Sequence, residues 1–179
     1  MKRKVYTISI TSPSGGGKTT IINLLKNKFE NSVVLYFDDY DFTNDPGDNQ
    51  FNNDLIQYDY NKWELIQLKK DIKNTIMESK YEYLLLDYPF SYCNDNIKQY
   101  IDFSVYIDTP LDVAMARRII RDFNKDMNIK NEMEIYLKYG RIGYIDMENF
   151  VKPTCDLIVN GNNKPDEIID IIIGNIKSR

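Results

Sequence analysis

The sequence predicts an α/β fold, a mostly parallel five-stranded sheet covered by helices on both faces. Two observations carry this. Short, continuously apolar segments rich in β-branched and aromatic residues recur along the chain. Between them, apolar residues return at spacings of three and four, so strand-type and helix-type periodicities alternate. Strands apolar on both faces need a covering layer on each side, the habit of parallel sheets built from strand–helix–strand units. The length, 179 residues, suits one domain spanning residues 1–179.

Val5 to Thr11 alternates as the first strand. Ile21, Ile22, Leu24, Leu25 and Phe29 mark the first helix. Val33 to Phe37 reads as the second strand and runs into the acidic pair Asp38 and Asp39. Residues 41–54 are polar, contain Pro46-Gly47 and read as one long loop, a candidate substrate lip. Trp63, Ile66, Ile72, Ile76 and Met77 mark a second helix, and Tyr83 to Leu86 a third strand that ends at Asp87. Phe103 to Ile107 forms a fourth, followed by a helix from Pro110 to about Lys125, proline being at home in a first helical turn. Leu157 to Val159 is a short fifth strand, and Ile168 to Ile176 closes the chain as an amphipathic helix. In such sheets ligands bind beyond the carboxyl ends of the strands. The chemistry is therefore expected just after Thr11, Phe37, Leu86 and Ile107.

Composition excludes several classes. The chain has no histidine, which removes Ser-His-Asp and Cys-His nucleophile pairs and His-ligated zinc. Any acid–base chemistry falls to carboxylates, Lys, Tyr or Cys. With 23 Lys+Arg against 27 Asp+Glu, there is no basic footprint, and no nucleic-acid partner is expected. Two cysteines, Cys93 and Cys155, cannot build a disulfide framework and read as small buried hydrophobes. The basic start lacks the apolar run of a signal peptide, and Ile168–Ile176 is too short to span a bilayer. A cytoplasmic protein with no membrane partner is expected; its oligomeric state is left open.

Directly after the first strand stands Ser12-Pro13-Ser14-Gly15-Gly16-Gly17-Lys18-Thr19-Thr20. This is a P-loop with Ser12 in place of the first glycine. Ser14, Gly15, Gly16, Gly17, Lys18, Thr19 and Thr20 are the expected ATP-binding residues. Successive backbone N–H groups curl around phosphate oxygens, and the following helix directs its positive end at them. Lys18 bridges the terminal phosphates and Thr19 offers its hydroxyl to Mg²⁺. The fold class becomes a P-loop NTPase, three-layer α/β/α, with a helical lid expected at about residues 117–130.

Further motifs point to one family. Phe37-Asp38-Asp39-Tyr40, Gln57-Tyr58-Asp59-Tyr60 before Trp63, Val105 to Pro110 followed by Arg117 to Asp122, and Phe150 to Thr154 followed by Asp156 to Val159 form a patchwork along nearly the whole chain. It resembles the uridine kinase and phosphoribulokinase family of P-loop kinases, including the nicotinamide riboside kinases. The resemblance implies that Asp38 is the base facing the substrate hydroxyl and that Asp59 holds ribose hydroxyls, with Tyr40 beside the substrate. It also places Arg118 and Arg121 on the lid helix. From the residues themselves, two carboxylates at a strand end beside a phosphate loop can accept a hydroxyl proton. Asp38 is the chosen base, and Asp39 a ligand to Mg²⁺-bound water. Asp87 ends an apolar strand as a Walker-B acid would and is the second expected metal residue. Arg118 and Arg121, three apart, share a helix face and can reach one phosphate together.

The expected reaction is γ-phosphoryl transfer from Mg·ATP to a small-molecule hydroxyl, most simply a nucleoside-like ribose 5′-OH. A nucleoside monophosphate kinase is the first alternative. Leu86-Asp87-Tyr88-Pro89 is similar to the Asp-Gly-Phe-Pro segment of adenylate kinases, but the arginine that follows there is Phe90 here. A nucleotide switch without a small-molecule substrate ranks lower, because Asn61-Lys62-Trp63-Glu64 and Asn124-Lys125-Asp126-Met127 both miss the Asn-Lys-x-Asp order of GTPase switches. In uridine kinases a base-reading hairpin precedes the Walker-B strand. Here Ser79-Lys80 leads directly into Tyr81-Glu82-Tyr83, which argues against uridine as the acceptor.

Overall fold

The computed structural model describes residues 5–42, 59–123 and 128–178. Its five strands are β1 (Tyr6–Thr11), β2 (Ser32–Tyr36), β3 (Tyr83–Asp87), β4 (Phe103–Asp108) and β5 (Leu157–Asn160). The α-helices are α1 (Lys18–Lys28), α2 (Ile66–Glu78), α3 (Leu111–Asp122), α4 (Ile129–Ile135), α5 (Arg141–Asp146) and α6 (Pro165–Lys177). The sheet runs β2-β3-β1-β4-β5 and every pairing is parallel. Each strand is therefore reached by a crossover, and the crossovers lay helices on both faces.

Alternation along β1 and β3 separates the two cores. Ile8, Ile10 and Leu85 face a layer made by Ile21, Ile22 and Leu25 of α1 with Ile168, Ile169 and Ile172 of α6. Leu84 and Leu86 face the opposite layer, where Leu65, Leu68 and Ile72 meet Met147 and Val151. Among the described residues no helix is long and apolar enough to cross a membrane.

Several expectations are corrected in detail. Trp63 stands outside α2, at the end of a 3₁₀ turn (Tyr60–Lys62). Ile66 and Met77 face solvent, and the buried face of α2 is Leu68 and Ile72. The helix after Pro110 stops at Asp122, while Lys125 and residues 43–54 of the polar loop lie outside the described residues. The connection from α2 to β3 is short: Ser79 turns the chain in the left-handed conformation and β3 opens at Tyr83, leaving no hairpin between them. Cys93 and Cys155 are half-buried and polar in setting. Cys155 lies 3.3 Å from the Ser91 hydroxyl, which itself lies 2.7 Å from that of Ser104.

One helical run was not anticipated. From Ile129 to Val151 the chain stays helical, α4 and α5 alternating with π turns at Tyr136–Gly140 and Met147–Val151. Its signal was present: Ile129, Met133 and Tyr136, then Tyr144, Met147 and Val151, repeat at spacings of four and three.

Candidate active site

The phosphate loop joins β1 to α1, and its glycines meet two separate demands. Gly15 has φ +80°, and a Cβ there would lie 2.1 Å from the carbonyl oxygen of Ala114 on α3. Gly17 caps α1 at φ +106°. Only glycine takes these positive angles without strain. Ser12 is buried and lies outside the positive-φ region, so the position needs no glycine. Its Oγ donates to the Pro13 carbonyl at 3.0 Å. Thr109, just beyond β4, ties the loop to the sheet by donating to the Gly16 carbonyl at 2.8 Å.

Asp87 ends β3 beside this loop and is buried. Its Oδ2 accepts from the Thr19 hydroxyl at 2.7 Å, and its Oδ1 lies 3.8 Å from Lys18 Nζ. Burial pushes its pKa up. Lys18 and the Thr19 bond oppose that rise, and the negative fields of Asp38 and Asp39 add to it. Tyr36, the last residue of β2, sits level with Asp87 in the register. The 3₁₀ turn Phe37–Asp39 therefore delivers two more carboxylates to the same end of the sheet. Phe37 anchors that turn by stacking on Phe42 at 4.4 Å and meeting Phe90 at 5.4 Å and Trp63 at 5.6 Å. Asp38 and Asp39 are exposed.

These pieces enclose a cavity of about 160 Å³ lined by Ser12, Ser14, Lys18, Phe37, Asp38, Asp87, Pro89, Tyr144 and Met147. Lys18, Asp38 and Asp87 thus come together as the sequence suggested, and Thr19 joins them through Asp87. Tyr144 and Met147, from the unanticipated helical run, complete the wall. A larger groove of about 660 Å³ lies between α3 and α4, lined by Met115, Ile119, Met133 and Leu137 among others. It contains no phosphate-loop residue, so phosphoryl chemistry belongs to the smaller cavity.

Other expected residues are placed differently. Tyr40 directs its hydroxyl to Asp71 of α2 at 3.1 Å; burial, and after it that bond, drives its pKa upward. Asp59 is exposed, accepts from the Asn61 backbone N–H at 3.1 Å, and does not line the cavity. Arg118 and Arg121 do converge, but on a carboxylate. Arg121 grips Asp122 with Nε at 2.6 Å and Nη2 at 3.0 Å, while Arg118 Nε lies 3.8 Å from the same group and its Nη2 3.7 Å from Glu132. The Asp122 bond raises the pKa of Arg121 above its ordinary value; partial burial opposes this, and the fields of Asp38 and Tyr144 add to it. Arg118 stands against the phosphate loop, its Cβ 3.1 Å from where a Gly15 Cβ would be.

The residues present fit Mg²⁺. The Thr19 hydroxyl and the Asp87 carboxylate bring oxygen atoms of the kind Mg²⁺ takes to one place, in the field of Asp38 and Asp39. Among the described residues no cluster of three or more His, Cys, Asp or Glu could hold an ion by itself. That suits a cation which keeps its waters and shares itself with phosphates.

Comparison with known proteins points to one family. A family model described as the phosphoribulokinase / uridine kinase family matches residues 52–159. The chain is 29% identical to a uridine kinase of Schizosaccharomyces pombe, over 98% of the chain and 44% of that protein. It is 26% identical to a uridine kinase of Borrelia duttonii, over 97% of the chain and 95% of that protein. Among solved structures, the shikimate kinase of Aquifex aeolicus covers 96% of the chain, and is itself covered to 96%, with a TM-score of 0.52 at 15% identity, a likeness of fold.

Proposed function

The chain belongs to the phosphoribulokinase / uridine kinase family and is an ATP-dependent small-molecule kinase; from that premise we propose that it transfers the γ-phosphate of Mg·ATP to the 5′-hydroxyl of a nucleoside-like ribose, with Asp38 as the base. The observation that carries this reading is a single cavity lined by the phosphate-loop lysine and by carboxylates from the ends of two neighbouring strands.

Lys18 and the phosphate-loop amides hold the terminal phosphates, and Thr19 with Asp87 would hold Mg²⁺. The cation, when bound, neutralises charge on the β- and γ-phosphates. Asp38, exposed at the mouth and not engaged by Lys18, orients and accepts the proton of the acceptor hydroxyl. Arg118 stands against the phosphate loop and Arg121 shares its carboxylate partner Asp122, so exchanging Asp122 for phosphate would offer these guanidinium groups to the nucleotide's charge. The cavity is smaller than the roughly 300–1,000 Å³ of sites that enclose a whole drug-sized ligand. It therefore holds the reacting end of the acceptor, the sugar, rather than the base.

The test is ATP consumption with nucleosides, with nucleoside monophosphates and with no acceptor. Turnover that depends on a nucleoside, lost in Lys18→Ala while the fold is retained, is the expected result. Turnover that depends on a monophosphate, or that survives in Lys18→Ala, overturns the proposal.

A further inference from the structure

The wall of the cavity that does not come from the phosphate loop or the strand ends is built by α5 and the π turn after it. Tyr144 belongs to α5 and Met147 opens the turn. The other polar groups around the cavity are mostly engaged: Ser12 with the Pro13 carbonyl, and Asp87 with Thr19 and Lys18. Tyr144 differs. Its ring packs on Tyr136, 6.1 Å between centroids, while its hydroxyl makes no hydrogen bond to a described residue. Tyr144 lines the same cavity as Asp38 and Lys18, and the charges of Tyr144 and Asp38 both reach Arg121. A half-buried phenol that lines this cavity and leaves its hydroxyl unbonded among the described residues is suited to a ligand's hydroxyl, and the group beside a reacting 5′-CH₂OH is the sugar ring.

We propose that Tyr144 is a substrate-binding residue whose hydroxyl hydrogen-bonds a ribose ring hydroxyl of the acceptor, opposite Asp38, while Phe37 and Met147 supply the apolar wall against the sugar. The proposal rests on the kinase reading above and adds a residue that the sequence motifs do not mark. One uncharged hydrogen bond sets its size, an effect of about three- to tenfold.

The experiment compares the full-length wild type with Tyr144→Phe, which keeps the packing on Tyr136. Steady-state rates are measured with Mg·ATP on uridine, cytidine, adenosine and guanosine and on their 2′,3′-dideoxy forms. For the ribonucleosides that the wild type accepts, Tyr144→Phe raises the acceptor KM about three- to tenfold and leaves the ATP KM in place. With the dideoxy forms the two proteins have equal acceptor KM, because the hydroxyl that Tyr144 reads is gone. An unchanged ribonucleoside KM, or an equal rise with both sugar types, overturns the proposal alone. Absence of turnover with every nucleoside in the wild type overturns the nucleoside-acceptor reading and this proposal together.

Discussion

At position 12 the phosphate-loop pattern asks for glycine and the chain carries serine. The backbone there avoids positive φ, and the hydroxyl bonds the neighbouring Pro13 carbonyl, so the departure costs the loop little. Gly15 is the reverse case: positive φ and the Ala114 carbonyl together exclude any side chain. Asp38 carries the sharpest single-residue consequence. Asp38→Asn keeps the shape but removes the base, and kcat is expected to fall about 10²- to 10⁴-fold with the ATP KM little changed; a near-normal kcat would remove Asp38 from the reaction. That Lys18, Asp38 and Asp87 meet in one cavity was legible in the sequence, because each stands just at or beyond a strand's carboxyl end. The partners of Tyr40 and Asp122 were not. Tyr40 bonds Asp71, 31 residues away on α2, and Asp122 holds the two arginines that residue type alone assigns to phosphate.

The helix α2 shows how an element can be found while its orientation is missed. Its apolar residues wrap too much of the circumference for periodicity alone to choose the buried side. The sheet chooses Leu68 and Ile72, leaving Ile66 and Met77 in solvent. Ile72→Ala is therefore expected to destabilise the protein by about 2–5 kcal/mol, and Met77→Ala by no more than about 0.5 kcal/mol, measured by chemical denaturation. Similar losses at the two positions would contradict the assigned face. The run from α4 to Val151 was missed for another reason: Gly140 and Gly143 interrupt its pattern and weaken any helix reading. The π turns bring Tyr144 and Met147 to the cavity wall and Val151 into the core, and π turns gather at functional sites.

Across the whole molecule, elements distant in sequence set the chemistry of single groups. Cys93 follows β3 and Cys155 precedes β5, yet both approach the Thr154 hydroxyl or the Ser91 hydroxyl that it touches. Burial pushes both thiols above their ordinary pKa, with nearby hydroxyls pulling the other way. A raised pKa keeps a thiol protonated at neutral pH, and the thiolate is the nucleophile. Iodoacetamide is therefore expected to alkylate the folded protein more slowly at pH 7 than the urea-unfolded chain, and faster as pH rises; equal rates would show that the fold does not shield these thiols. The five strands with α1, α2, α3 and α6 between and after them, the phosphate loop and the absence of a histidine base were determined by the sequence by itself, because periodicity, glycine spacing and composition are local properties. Which face of α2 is buried, that Tyr40 bonds Asp71, and that Tyr144 completes the cavity were decided only in the tertiary structure. Those outcomes depend on how parallel crossovers bring remote segments to one end of the sheet, and no window of sequence contains both partners.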